Sequence, residues 1–343
     1  MTTEHQPEGV TLLSMQPRAA IEGGRITITC RHLDMEAFTG ARLRVGGVAA
    51  RLDLACNDRV IAKVPIGAMS GMVTLEINGH VSNGIPCEIG SRMAQNLHPV
   101  SNPAIDAAGN LFVTLSGSRG QKVPVSVYKI SPRGILTPFV HDIVNPTGMA
   151  FGPDGEMYIS SRFDGQVYRV TAEGTASVFA RDLGVATGIA FDPQGHLYVG
   201  DREGTVYRVN HQGIPTAFAT LAPSVAAFHL AFDHQGNLYV TNPSMSGYDV
   251  IHRITPEGEI QAFATDLGRP QGMAFDHQDN LYVVSYYRGD AGVLKITPQG
   301  EASHVVSGVN LVGLALDSLG HLLVVSTSAV YRLNREAIEQ SQR

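Results

Sequence analysis

One histidine among thirteen stands out by its position. His229 sits in a segment, FHLAFDHQGNLYV from Phe228, that has five counterparts along the chain. They are SNPAIDAAGNLFV from Ser101, TGMAFGPDGEMYI from Thr147, TGIAFDPQGHLYV from Thr187, QGMAFDHQDNLYV from Gln271 and VGLALDSLGHLLV from Val312. At the position of His229 four copies carry Gly and the first carries Asn102. An imidazole titrates near neutral pH, so His229 is a candidate general base or ligand-binding group. Asp201, which ends the second half of the preceding copy, is the candidate to orient or charge it. The residues that open the copies add polar groups: Ser101, Asn102, Thr147, Thr187 and Gln271. The segments after each copy contribute Arg162, Arg202, Asn242 and the run Tyr286, Tyr287, Arg288, whose aromatic and cationic types suit recognition. No nucleophile accompanies the His–Asp pair, so binding and acid–base chemistry both stay open.

The repeat dictates the elements that must hold these residues. Its aligned position, Asp106, Gly152, Asp192, Asp233, Asp276 and Asp317, recurs every 40 to 46 residues. Such periods indicate a propeller or a helical array. Each copy reads as a short apolar strand, a D-x-x-G-type turn and a second strand such as LYV. A third strand follows, as in VYRV at 167–170 and 206–209, then a turn and a fourth, as in SVFA at 177–180. Four antiparallel strands per repeat make a propeller blade. The sixth copy lacks a fourth strand, and SRMAQN at 91–96 is positioned to supply it, closing the ring and removing an open edge. Lys129, Arg169, Arg208, Arg253, Lys295 and Arg332 recur at one strand position and read as a solvated or between-blade ladder. His196, His234, His277 and His321 fall in turns that diverge by symmetry, so they read as turn residues and not metal ligands. The loops expected to form the mouth are 115–124, 160–165, 200–204, 241–249, 285–290 and 325–327.

Composition agrees with an all-β chain of tight turns. Charged residues are 16% and Gly numbers 37 of 343, and Gly supplies the positive φ that turns need. The net charge is −6 without a basic run, so neither DNA nor RNA binding is expected. MTTEHQPEGV has no basic-then-apolar pattern and no apolar span reaches membrane length, which gives a cytoplasmic, non-membrane reading. Cys30, Cys56 and Cys87 read as buried free thiols.

Residues 11–89 differ from the repeat. ITITC (26–30), LRVGGVAA (43–50), VIAKVP (60–65) and MVTLEIN (72–78) alternate with turn signals as in a sandwich. The run PRAAIEGGRITITC, RVGG, VP and SGMVTLEIN resembles the IPT/TIG immunoglobulin-like domains, a likeness that implies an interaction or spacing module. The repeat resembles NHL-repeat proteins and the gluconolactonase/senescence-marker-protein propellers. That second resemblance implies a central divalent cation held by acidic and amide side chains, several of them just before the motif Gly. Here those positions hold Ser101, Thr147, Thr187, Phe228, Gln271 and Val312, without a carboxylate, and His229 is the belt's one histidine. No metal and no other cofactor is therefore expected. The reading is a flexible N-terminus (1–10), an IPT/TIG-like β-sandwich (11–89), a six-bladed β-propeller (91–334) closed by an N-terminal strand, and a tail (335–343). The expected function is a binding protein that holds a small polar molecule or protein segment at the channel mouth, with a further protein partner for the first domain. The alternative is a hydrolase or lyase using His229 and Asp201.

Overall fold

Alternating apolar residues and turn glycines fold the chain almost wholly into strands. The computed structural model describes residues 9–33, 36–334 and 338. The proposed N-terminus and tail fall largely outside them.

The motif aspartate explains the first turn in five of the six repeats, the second having Gly152 in its place. In Asp192 one carboxylate oxygen accepts the backbone N–H groups of Gln194 and His196, at 3.0 and 2.8 Å. The same pair of bonds recurs at Asp106, Asp233, Asp276 and Asp317. This side-chain turn fixes the reversal into the second strand. Gly195, between those two donors, takes φ +83, where a side chain would be strained.

The result is six antiparallel arrays of four strands, five of them separate sheets and one, the fifth, part of a larger sheet shared with the first unit. The first spans Ala104–Val140, the second Pro146–Ala180, the third Ala186–Thr220, the fourth His229–Leu267 and the fifth Met273–Ser307. The sixth has Leu311–Leu316, Leu322–Ser326 and Ala329–Leu333, with Ser91–Gln95 as its outer strand, antiparallel to the last of these. Each sheet packs against the next through its own apolar cluster. A further cluster joins Val312, Leu323 and Val325 of the sixth sheet to Leu111 and Val113 of the first. Edge-on aromatic triads, such as Phe179–Tyr158–Phe191 with centroids 5.0 Å apart, fill the spaces between sheets.

The basic ladder has structural partners. Arg169 pairs with Asp154 and Glu156, Arg208 meets His196, and Arg332 meets His321 and Asp317. Lys129 and Lys295 lie over Phe112 and Tyr282. His196 and His321 bond back to Asp192 and Asp317.

Residues before the propeller form two sheets around one core, drawn from Leu12, Ile26, Ile28 and Val60 on one side and Leu43, Val73, Leu75 and Cys87 on the other. The run 43–50 is not one strand: Arg42–Val45 and Val48–Ala50 form a hairpin about Gly46–Gly47, whose φ of +54 and +80 suits a tight reversal. Cys30 and Cys87 are buried free thiols, but Cys56 is exposed. The short strand Ala19–Ala20 lies parallel to both Ile85–Ile89 and Ala302–Ser307, so hydrogen bonding runs continuously from the first unit into the fifth sheet.

Candidate functional site

The innermost strands crowd together, and this explains the glycines. A Cβ built on Gly148 runs into the Thr187 carbonyl, one on Gly188 into the Phe228 carbonyl, and one on Gly313 into that of Ser101. Where His229 replaces Gly, its side chain turns into the wall of a central cavity of about 240 Å³. Thr147, Thr187, His229 and Gln271 line that cavity, with Arg162, Arg202 and Arg269 around it. Six of the expected mouth residues therefore meet at one place.

His229 is 2% exposed, and its Nδ1 has no hydrogen-bond partner. Burial pushes its pKa down to about 4, which keeps the ring neutral at pH 7. A neutral imidazole offers one donor and one acceptor. Thr187 is held by two bonds: its hydroxyl donates to the Gly200 carbonyl and accepts the Phe228 N–H, both at 3.0 Å. Gln271 reaches the Leu311 carbonyl at 3.5 Å.

Asp201 does not serve His229, contrary to expectation. It is buried, and its Oδ1 accepts the N–H groups of Val185 (2.8 Å) and Glu203 (3.1 Å). It fixes the loop that carries Arg202. Asn102 is also occupied structurally: its amide donates to the Met273 carbonyl at 2.9 Å and its oxygen accepts the Leu314 N–H at 3.1 Å. Ser101 is buried beside it, next to Val100 of the cavity wall. Asn242 donates to the Ala222 carbonyl at 3.0 Å. The segment 285–290 is not an open loop. Tyr286 and Tyr287 extend a strand to a two-residue turn at Arg288–Gly289, with φ of +50 and +89. Arg288 lies over Tyr287, 5.0 Å from the ring centroid. Tyr286 lines a neighbouring cavity of about 380 Å³ that also touches Arg269 and Gln271.

Two arginines escaped the sequence reading. Arg119, from the loop after the first sheet's second strand, lines a third cavity of about 470 Å³ together with Arg162, Arg202, Glu203 and Ser224. Arg269 borders the central cavity, and its N–H donates to Asp249 at 3.1 Å. Both lie in loops without a common register, so no repeat signal marked them.

The cation site of gluconolactonase-like propellers has no fit here. The six inner positions supply no carboxylate, and no three His, Cys, Asp or Glu side chains converge among the described residues. What the arrangement offers is neutral hydrogen-bonding groups and guanidinium groups around one cavity.

A family model for the strictosidine synthase-like N-terminal region matches residues 188–209. No curated protein matches. Among solved structures, an auxiliary nutrient binding protein from Bacteroides ovatus is 12% identical, with 95% of this chain and 98% of that one covered at a TM-score of 0.56. A putative gluconolactonase is 18% identical over 71% of this chain and 91% of that one, with a TM-score of 0.59. The virginiamycin B lyase of Staphylococcus aureus is 16% identical over 68% and 80%, at 0.51. At such identities the likeness concerns the fold, a β-propeller.

Proposed function

We propose that this is a ligand-binding protein whose mouth holds a small polar molecule. The six sheets are read as blades of a six-bladed propeller closed by Ser91–Gln95, and the N-terminal unit as an IPT/TIG-like immunoglobulin domain acting as an interaction or spacing module. The observation that carries the reading is the convergence of Thr147, Thr187, Gln271 and a neutral His229, its Nδ1 without a partner, on one cavity that Arg162 and Arg202 also line. Its size, about 240 Å³, sits below the usual range for drug-sized ligands and suits a small metabolite better than a peptide chain. Among the described residues no carboxylate pairs with His229, and the Thr187 hydroxyl in the same cavity is committed to the Gly200 carbonyl and the Phe228 N–H, which favours binding over catalysis. One of the similar folds belongs to a nutrient binding protein, in line with this use.

The second reading, a hydrolase or lyase, draws on the unpartnered Nδ1 of His229. One experiment separates the two. The full chain is screened by thermal shift against small polar metabolites, and each hit is followed over time for consumption. A hit that persists unchanged and loses its shift in His229→Gln supports binding. A hit that is consumed by wild type and not by His229→Gln transfers the site to catalysis. Hits indifferent to both His229→Gln and Thr187→Val put the site elsewhere.

A further inference from the structure

Three successive sheets each direct an arginine to the same cavity. Arg162 and Arg202 occupy equivalent places, just past the second strand, and the same backbone bond holds each. The Arg162 N–H donates to the Asn145 carbonyl at 3.3 Å, and the Arg202 N–H to the Val185 carbonyl at 3.2 Å. Arg119 joins them from the preceding sheet.

These cations lack internal neutralisation. No carboxylate among the described residues forms an ion pair with Arg119, Arg162 or Arg202. Arg162 reaches Ser116 and the Gly117 carbonyl only at 3.4 Å, and its buried Nε has no partner. Burial, with Arg202 and then Arg119 nearby, pushes its pKa down. Guanidinium groups stay charged regardless. Glu203 is the one acid in the cavity wall and Asp201 is committed to backbone amides. Three like charges around a cavity of about 470 Å³, with one N–H unmet, are complementary to an anion.

We infer that the mouth takes a small anionic ligand, its phosphate or carboxylate group held by Arg119, Arg162 and Arg202 and its polar body resting on Thr187, His229 and Gln271. The inference rests on the mouth being the binding site. The two cavities share Arg162 and Arg202, so one molecule spans them. Guanidinium groups recognise either oxyanion through paired N–H···O bonds, and their summed positive charge favours a group carrying two or more negative charges.

Calorimetric titration of the full chain tests this with inorganic phosphate, glycerol phosphate, citrate and uncharged glycerol. Expected are binding of anions but not glycerol, weakening in high salt, and about tenfold loss of affinity in Arg202→Gln and in Arg119→Gln, the scale of one charge-assisted contact. Arg202→Lys should recover part of the loss, and Arg51→Gln in the N-terminal unit should change nothing. Arg119 is exposed, so its substitution leaves folding intact even if Arg162→Gln fails to fold. Binding of glycerol phosphate without citrate assigns a phosphorylated ligand; binding of citrate without either phosphate assigns a polycarboxylate. Anion binding that ignores the arginine substitutions overturns the inference, as does a panel in which only uncharged compounds bind. In that last case sensitivity to His229→Gln preserves the mouth as the site, whereas insensitivity removes both.

Discussion

At the scale of the residue, His229 ties stability to pH. Its imidazole has an ordinary pKa of 6.5, lowered in the fold to about 4 because burial penalises the cation. Between those values the unfolded chain binds more protons than the folded one, so acid favours unfolding. The contribution is complete above pH 6.5 and is lost as pH falls through about 4, amounting to about 3 kcal/mol. In His229→Gln that part of the loss should vanish. Urea unfolding at pH 7 and pH 4.5 measures it, and equal pH dependence in both proteins would refute the assignment. The special place of His229 was legible because five aligned copies showed Gly or Asn instead. The role of Asp201 was not. Sequence adjacency of repeats places two residues near one axis, but whether a carboxylate faces an imidazole or its own loop's amides is decided by φ/ψ and by Gly184, which leaves space for the Asp201 carboxylate.

At the scale of the element, the inner strands depend on bare backbone. A methyl at Gly188 has the Phe228 carbonyl in its way and the His229 Cα at 3.0 Å, both of them backbone that cannot rotate aside. Overpacking of this kind typically costs about 1–3 kcal/mol. Gly188→Ala should therefore destabilise by about 2–3 kcal/mol and also displace His229, weakening any ligand that wild type holds. Denaturant midpoints and titration check the two effects, and a cost below about 0.5 kcal/mol, the usual surface value, would contradict the crowding argument. Most of this level could be read from the chain: the D-x-x-G turns, the strand order and the candidate closing strand all have local signatures. The loops had none. Tyr286 and Tyr287 continue a strand because Arg288–Gly289 can adopt the paired positive φ of a tight hairpin, and an arginine in the first of those positions gives little warning of it. Arg119 and Arg269 sit where loop lengths differ between repeats, so periodicity could not align them.

At the scale of the whole molecule, the two units are joined as one hydrogen-bonded body. The Ile21 N–H donates to the Ser307 carbonyl at 2.9 Å and the Asn334 N–H to Glu88 at 3.1 Å, while Arg25 bridges to Asp290 at 2.6 Å. The surface ion pair adds little. Ile21 matters more: it is 1% exposed and packs with Val305, Val306 and Leu333 between the fifth and sixth sheets. A carboxylate there would be buried without a partner, which is strongly unfavourable. Wild type should unfold in one calorimetric transition, whereas Ile21→Asp should give two as the units part. A single transition in both would mean that the junction does not carry the coupling. The mouth arginines belong to the first three sheets and the junction to the fifth and sixth. Anion affinity measured below the first transition of Ile21→Asp should therefore stay within about twofold of wild type, a difference well under the 1.4 kcal/mol of a tenfold change. A larger fall would show that the N-terminal unit shapes the mouth.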